Sequence, residues 1–454
     1  MMNPLDLFPD DLILEEICGG VWLVLILIIA FAYFRKRSKW NGYVEKFGDR
    51  FEGGDRTAFI RRMRGSIAGT MVAAIIFLAI LFFGLLVTIA FVNAIIGKYV
   101  WLVLILFIVG ILIVQTYMIW SLGKFKDLPR EEYGYVYDIT QQVSDKFDAK
   151  MPSLKMDESL EMNAYTTSIF GRSSVIVITQ GLLNRVGAGR MSEDQLQAII
   201  GHELGHIVNN DATITTLFNP AMMFVLAIKS ILEVIVRGIL FFIISSGKFG
   251  MGGVLRFILA IFLILILVWL LLYIGIYYVI FYFIAMAIVV TGFLLSRQKE
   301  YAADLFGSLL MGSRIPLGTG LMDLTRETGF ELVKRNLAVK EIEELTKKEE
   351  EDEVPEKERL GPEEKMKILE GIDAIKAVEE DPELLKEIPM RDARSLIESK
   401  GLEAFDEDDF VEFSKFEYTF QEKTSELMMS HPLMGKRAAG LNLIKLATET
   451  GQEE

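Results

Sequence analysis

Two histidines four positions apart, with a glutamate directly after the first, are the residues of this chain best suited to chemistry. His202, Glu203 and His206 fall in the run from Ser192 to Asp211, and the 454 residues hold only 3 histidines in all. On a helix, positions i and i+4 leave the same face one turn apart. Two neutral imidazole nitrogens so placed can bind one Zn²⁺ per chain, with Glu203 beside them to polarise a water on the metal. The bland reading is a helix that merely carries two histidines, and the scarcity of histidine elsewhere speaks against it. A catalytic zinc takes a third protein ligand and keeps a fourth position open. Glu300, in the run from Ser296 to Asp304, is the natural candidate, against the plainer reading of a surface acid. Asp304 lies one helical turn further on and can take a hydrogen bond from a liganding imidazole, as carboxylates behind zinc ligands do. The chemistry implied is metal-assisted peptide hydrolysis, with Glu203 moving a proton from water to the leaving amine.

These groups need elements to carry them. Ser192 with Gln195 three residues on is the pattern of a capping box, and Leu196, Ile199, Ile200, Leu204 and Ile207 then recur at helical spacing. Upstream, Asn163 to Thr167 and the β-branched run Ser174 to Thr179 read as a hairpin or adjacent strands beside that helix. An exposed edge at Asn163, Ala164 and Tyr165 could hold an extended peptide by main-chain hydrogen bonds, or the strands could simply cover the core. Glu300 must return to the side of His202, so an even number of membrane crossings has to separate them. The apolar runs 220–244 and 254–295 are therefore expected to make two. The second has about 42 residues, roughly 63 Å as a helix, and is read as one long helix leaving the membrane for the catalytic domain. Glu327 and Glu331 are less suited as ligands. They follow or flank Gly318, Gly320 and Gly329, where a rigid helix is not expected.

Composition agrees with a membrane protein: 52% hydrophobic residues and a mean hydropathy of +0.37 are too apolar for an ordinary soluble chain. The apolar run from Ile17 to Phe34 is followed, not preceded, by Arg35, Lys36, Arg37 and Lys39. It reads as a retained anchor with its N-terminus outside and the basic segment after it in the cytoplasm. Runs 67–92 and 99–120 are each long enough to cross. The expected layout is an acidic tail (1–16), a membrane region of about three spans (17–126) and the first part of a catalytic domain (127–219). A membrane hairpin (220–296), the third-ligand region (297–330), an acidic helical insert or cap (331–425) and the last part of the catalytic domain (426–454) follow. Lys229, Glu233 and Arg237, at i, i+4 and i+8 inside an apolar run, are either a functional ladder or a charge-paired stripe. The lone Cys18 excludes an internal disulfide framework. The net charge of -14 resides in the insert, where residues 341–410 carry 26 acids against 11 Lys and Arg. The remainder is near neutral and offers no basic face for nucleic acid. The insert reads as short helices joined by solvated linkers, with Glu349 to Glu353 its most disordered part.

Four motifs together carry a family resemblance: HELGH at His202 to His206, EYAAD at Glu300 to Asp304, NAYTT at Asn163 to Thr167 with the VIVITQGLL run, and a late SHP with an arginine five residues past its proline, Ser430 to Arg437. The sequence resembles the HtpX family of membrane-integrated zinc metalloproteases, relatives of the CAAX prenyl endopeptidases. The resemblance implies a multi-pass α-helical membrane protein bearing a mixed α+β, gluzincin-type zinc metallopeptidase domain. It implies zinc on His202, His206 and Glu300, with Glu203 as catalytic acid/base. By the same resemblance His431 is expected near the substrate or the oxyanion, with Asp304 and Arg437 in supporting positions. The partners implied are polypeptides, membrane proteins foremost, reached from the cytoplasmic side of the cell membrane in protein quality control and stress response. A CAAX-type prenyl-protein endopeptidase is the alternative enzyme. A catalytically silent membrane scaffold or adaptor is the alternative of another class, and the intact Glu203 argues against it.

Overall fold

The computed structural model describes residues 125–169, 173–209, 211, 254–351, 361–426 and 432–442, with isolated positions in 38–46, 61–87, 109–117 and 226–241. The expected spans at 17–34, 99–120 and 220–244 lie wholly or mostly outside the described residues, as does His431. In chain order the elements are β1 (Lys126–Asp127), α1 (Gly134–Lys146), β2 (Ser153–Asp157), β3 (Ala164–Ile169), β4 (Ser173–Thr179), α2 (Gln180–Gly187), α3 (Glu193–Val208), α4 (Val254–Met311) and α5 (Ile315–Glu351). The insert adds α6 (Pro362–Gly371), α7 (Ala374–Glu380), a 3-10 turn (Pro382–Glu387), α8 (Arg391–Lys400), α9 (Glu407–Phe413) and α10 (Phe420–Ser425), and α11 (Met434–Asn442) follows.

The two expected strands are β3 and β4, paired antiparallel with Thr166 opposite Ile176. The sheet runs β1-β2-β4-β3, and β2 lies parallel to β4. Central β4 is buried on both faces from Val175 to Ile178, which is why its sequence is a continuous apolar run rather than an alternating one. β3 is left as an edge. Behind the sheet, α1 and α3 close the core through Val136, Val143, Phe147, Leu196, Ile200 and Leu204.

Helix α3 begins as its sequence dictates. Ser192 caps it and Gln195 reaches back to the Ser192 backbone N–H, with Glu193 and Asp194 in the first turn complementing the helix dipole. Its packing partner is the far end of α4, a single helix of 58 residues. The two approach closely because Gly205 presents no side chain: a Cβ there would sit 3.0 Å from the Cβ of Phe306. Thus Gly201 and Gly205 turn to α4, and the histidine that follows each of them faces the cleft into which α4 brings Glu300.

Among the described residues α4 is the one helix long and apolar enough to cross a membrane, over Ile264–Met311, and the apolar helix Ala68–Phe77 is shorter. Phe77, Ala73 and Leu232 pack against Ile274, Phe281 and Ile288 of α4. Phe262, Trp269, Leu272 and Phe283 on its other faces are more than half exposed. Lys229 and Glu233 pair at 2.7 Å and Glu233 also pairs with Arg237, so these charges neutralise one another along their own helix. Trp40 is 1% exposed, donates to Asn209 Oδ1 at 2.8 Å and meets the Phe306 ring edge-on. Trp40, in the basic segment after the first apolar run, thus packs between the end of α3 and the Phe306 ring of α4.

One expectation needs correcting. Helix α5 runs unbroken through Gly318, Gly320 and Gly329 to Glu351, although those glycines argue against a rigid helix. The helix survives its glycines because the insert packs onto them. A Cβ on Gly318 would overlap the Phe410 ring, and one on Gly329 would lie 2.8 Å from Ile397. Burial of Phe410, at 0% exposed, offsets a glycine penalty of about 1 kcal/mol per residue. The helical run expected over Lys365 to Val378 also breaks, at Ile372 and Asp373. Asp373 caps α7 by accepting from the N–H groups of Ile375 and Lys376.

Candidate active site

His202 and His206 leave α3 on its cleft face with rings 4.8 Å apart. Glu300 comes from α4 to meet both. Its Oε2 lies 3.6 Å from His202 Nε2 and its Oε1 lies 3.5 Å from His206 Nε2. Donors on a tetrahedral zinc, at about 2.0–2.2 Å from the metal, stand roughly 3.3 Å from one another. The three side chains thus converge at close to the spacing that a shared metal requires. The atoms of His202, Glu203 and His206 that could ligate also lie within 4.8 Å of one another.

Each imidazole is backed by a carboxylate on its other nitrogen. His206 Nδ1 is 3.0 Å from Asp211 Oδ2. His202 Nδ1 is 2.9 Å from Asp304 Oδ1, off the line of an ideal hydrogen bond. Carboxylates in that position fix ring orientation and strengthen the outward nitrogen as a ligand. Asp211 was not singled out in the sequence reading. The only signal was its place five residues after His206, just beyond the end of α3, and no periodicity marks it. Lys299 holds it there by donating to its main-chain carbonyl at 3.1 Å.

Arg437 closes the cluster from α11. Its Nε donates to Asp304 Oδ2 at 2.8 Å and its Nη1 stands 3.4 Å from Glu300 Oε2. His202, Glu300, Asp304 and Arg437 are each under 9% exposed. Buried charges are tolerated when paired and hydrogen-bonded, and here each faces an opposite partner. Burial disfavours protonated His202, yet contacts with Asp304 and Glu300 outweigh it and push its pKa up to about 10. Burial likewise opposes the charge on Arg437, and Asp304 and Glu300 more than restore it. The carboxylates around His202 thus favour positive charge beside it, the property a cation site needs.

The insert is wired into this cluster. Tyr418 OH donates to Asp392 Oδ2 at 2.8 Å and accepts from the Gly435 N–H at 2.8 Å, two residues before Arg437. The residues first read as a solvated cap thus brace the helix that supplies Arg437.

A cavity of about 630 Å³ opens over the histidines. Asn163, just ahead of β3, and Ala164 to Thr167 within it line one wall, and Leu317, Leu321 and Leu324 of α5 line the other. Glu203 is 6% exposed and its main-chain carbonyl accepts from Thr166 Oγ1 at 3.1 Å, which ties the metal helix to the strand edge.

Replacing Asp211 by Asn should keep a polar partner for His206 while removing the charge that strengthens its ligand nitrogen. Zinc affinity is expected to fall about 10- to 100-fold, read by competition with a chromophoric chelator. An unchanged affinity would restrict Asp211 to ending the helix.

The comparisons with known proteins concern this same region. The sequence pattern of Peptidase family M48 matches residues 130–445. A protein named Protease HtpX homolog from Leptothrix cholodnii is 27% identical over 208 residues, covering 45% of this chain and 62% of that protein. Protease HtpX from Pseudomonas fluorescens is 29% identical over 191 residues, covering 42% and 55%. The chain spans about six-tenths of the length of the curated relatives it matches. No solved structure matches it. The resemblance to HtpX proteases drawn from the motifs therefore holds, and with the match running from before β2 to beyond α11 the chain belongs to Peptidase family M48.

Proposed function

We propose that this chain is a zinc-dependent endopeptidase, held in the membrane by several helices, that cuts membrane or membrane-associated polypeptides from the cytoplasmic side. The observation that carries the reading is the convergence of two imidazole Nε2 atoms on the Glu300 carboxylate, with Glu203 adjacent, at the base of a cleft walled by a strand edge. His202, His206 and Glu300 would hold the zinc. Zinc, when bound, lowers the pKa of water and polarises a carbonyl. Glu203 accepts the proton of the attacking water and returns it to the leaving amine. Arg437 is committed to Asp304 and Glu300, so its part is to hold those carboxylates. Stabilisation of the oxyanion then falls to His431. The unpaired side of β3 at Asn163, Ala164 and Tyr165 would take an extended substrate as an added strand, which binds main chain rather than a particular sequence.

A membrane location is supported by the exposed apolar faces of α4, since such patches on a soluble surface would be a liability. The cytoplasmic side is supported by the contact of Trp40 with Asn209 at the end of α3, because the segment that includes Trp40 is basic and short basic loops stay inside. A quality-control role fits a cleft that recognises main chain in unfolded segments.

In lipid nanodiscs the purified chain should cut an unfolded polypeptide such as casein, lose that activity to a chelator and regain it with zinc. Cleavage indifferent to chelator, or zinc-loaded protein without cleavage of any unfolded substrate, would overturn the reading.

A further inference from the structure

Beyond the metal cluster the cleft extends along α5, which presents Leu324, Thr328, Glu331 and Arg335 to it at helical spacing, with Glu327 and Leu332 alongside. The charges at this end are unequal in how they are satisfied. Arg335 pairs across the cleft with Glu161, just ahead of β3. Glu327 pairs with Arg185 of α2, whose side chain is 8% exposed. Glu331 sits one turn from each of these and lines the same cavity, and among the described residues no basic group is paired with it. Two of the three acids at this end are therefore paired, and the third, Glu331, lines the cleft with no ion-pair partner among the described residues.

Resting on the peptidase reading, we propose that Glu331 is a specificity residue: it forms, with Leu324, Thr328 and Leu332, a subsite for a lysine or arginine side chain of the substrate. The shape and the charge agree. A long basic side chain can lay its methylene stem on Leu324 and Leu332 while its charged head reaches the carboxylate. A hydrogen bond to an ionised group, partly shielded in a cleft, is among the stronger polar interactions available to a peptide. An acidic side chain at the same point would meet Glu331 unpaired and be rejected, so the site discriminates by repulsion as well as attraction. Main-chain capture on β3 would supply affinity, and Glu331 would supply the sequence preference that an edge strand lacks. The choice suits membrane-protein substrates, whose cytoplasmic loops are rich in Lys and Arg.

The test scans a single lysine through the positions flanking the scissile bond of an unfolded, otherwise neutral peptide, with glutamine and glutamate as comparisons. One position is expected to favour Lys or Arg over Gln by about tenfold in kcat/KM, and the preference should shrink with added salt. In Glu331→Gln the Lys-to-Gln ratio should collapse to about one, and in Glu331→Lys the preference should turn to Glu. Binding of the same labelled peptides to zinc-loaded Glu203→Gln protein is read in parallel by fluorescence anisotropy. A lysine preference in binding that Glu331→Gln abolishes supports the subsite even if no peptide is cut, an outcome that would fault the peptidase reading alone. Equal binding and cleavage of Lys and Gln peptides at every position, or a preference that survives Glu331→Gln, overturns the proposal.

Discussion

Glu203→Gln should leave the zinc content of the protein at the wild-type level while kcat/KM falls by roughly 10³-fold. Gln has the shape of Glu but cannot take a proton from water, and a positioned general base contributes about 10²- to 10⁴-fold. The substitution is also structurally mild. Glu203 is nearly buried on the cleft face of α3, and its main-chain carbonyl, held by Thr166, is unaffected by the change. The loss should fall on kcat, because Glu203 acts on the water and not on the substrate's main chain. The measurement is initial rate on casein with metal quantified in the same sample. Wild-type rates at full zinc occupancy would remove Glu203 from the mechanism.

The second large effect is expected at Glu300. Removing it as Glu300→Ala leaves two imidazoles, and zinc affinity should drop by more than about 100-fold, beyond the loss typical of groups that only support a ligand. Glu300→Asp keeps the charge but withdraws the oxygen by one methylene, so its affinity should lie between the two. The substitution also removes one of the two carboxylates around Arg437, although Asp304 remains at 2.8 Å to hold the guanidinium. Metal stoichiometry after dialysis decides the matter. Glu203 supplies the needed contrast, since its carboxylate also lies close to both histidines. If Glu300→Ala retains zinc while Glu203→Gln releases it, the ligand set is His202, Glu203 and His206, and the proposed division of labour is wrong.

Much of this arrangement was legible because it rests on local periodicity. The capping box at Ser192, the 3.6-residue recurrence after it and the β-branched run of β4 each describe a single element, and the elements follow. Glu300 was reached by a different argument, that a ligand must return to the same side of the membrane, and the single helix α4 brings it to the two histidines. What escaped were features set by contacts between distant segments. Asp211 sits below His206 only because α3 stops at Val208 and the chain turns there. The glycines of α5 look like helix breakers until Phe410 and Ile397 are seen against them. Strand β2, only Ser153–Asp157, carries a lysine and an aspartate and has no clear alternation, so its pairing with β4 had no local signal. Nor did the sequence suggest that an acidic insert would deliver Tyr418 to the backbone next to Arg437.

The continuity of α4 has a mechanical meaning. At 58 residues it is a rod about 87 Å long, with apolar turns at one end and Glu300 and Asp304 near the other. A lever of this length converts a tilt of a few degrees in the lipid into a shift of several ångström at its tip, whereas a metal site tolerates a few tenths. Tilt in turn follows the match between hydrophobic length and bilayer thickness. In the membrane placement proposed above, the residues packed around Ile274, Phe281 and Ile288 would act as a bearing for the lever, and the thickness of the bilayer would be one of the quantities that set the geometry of the metal site.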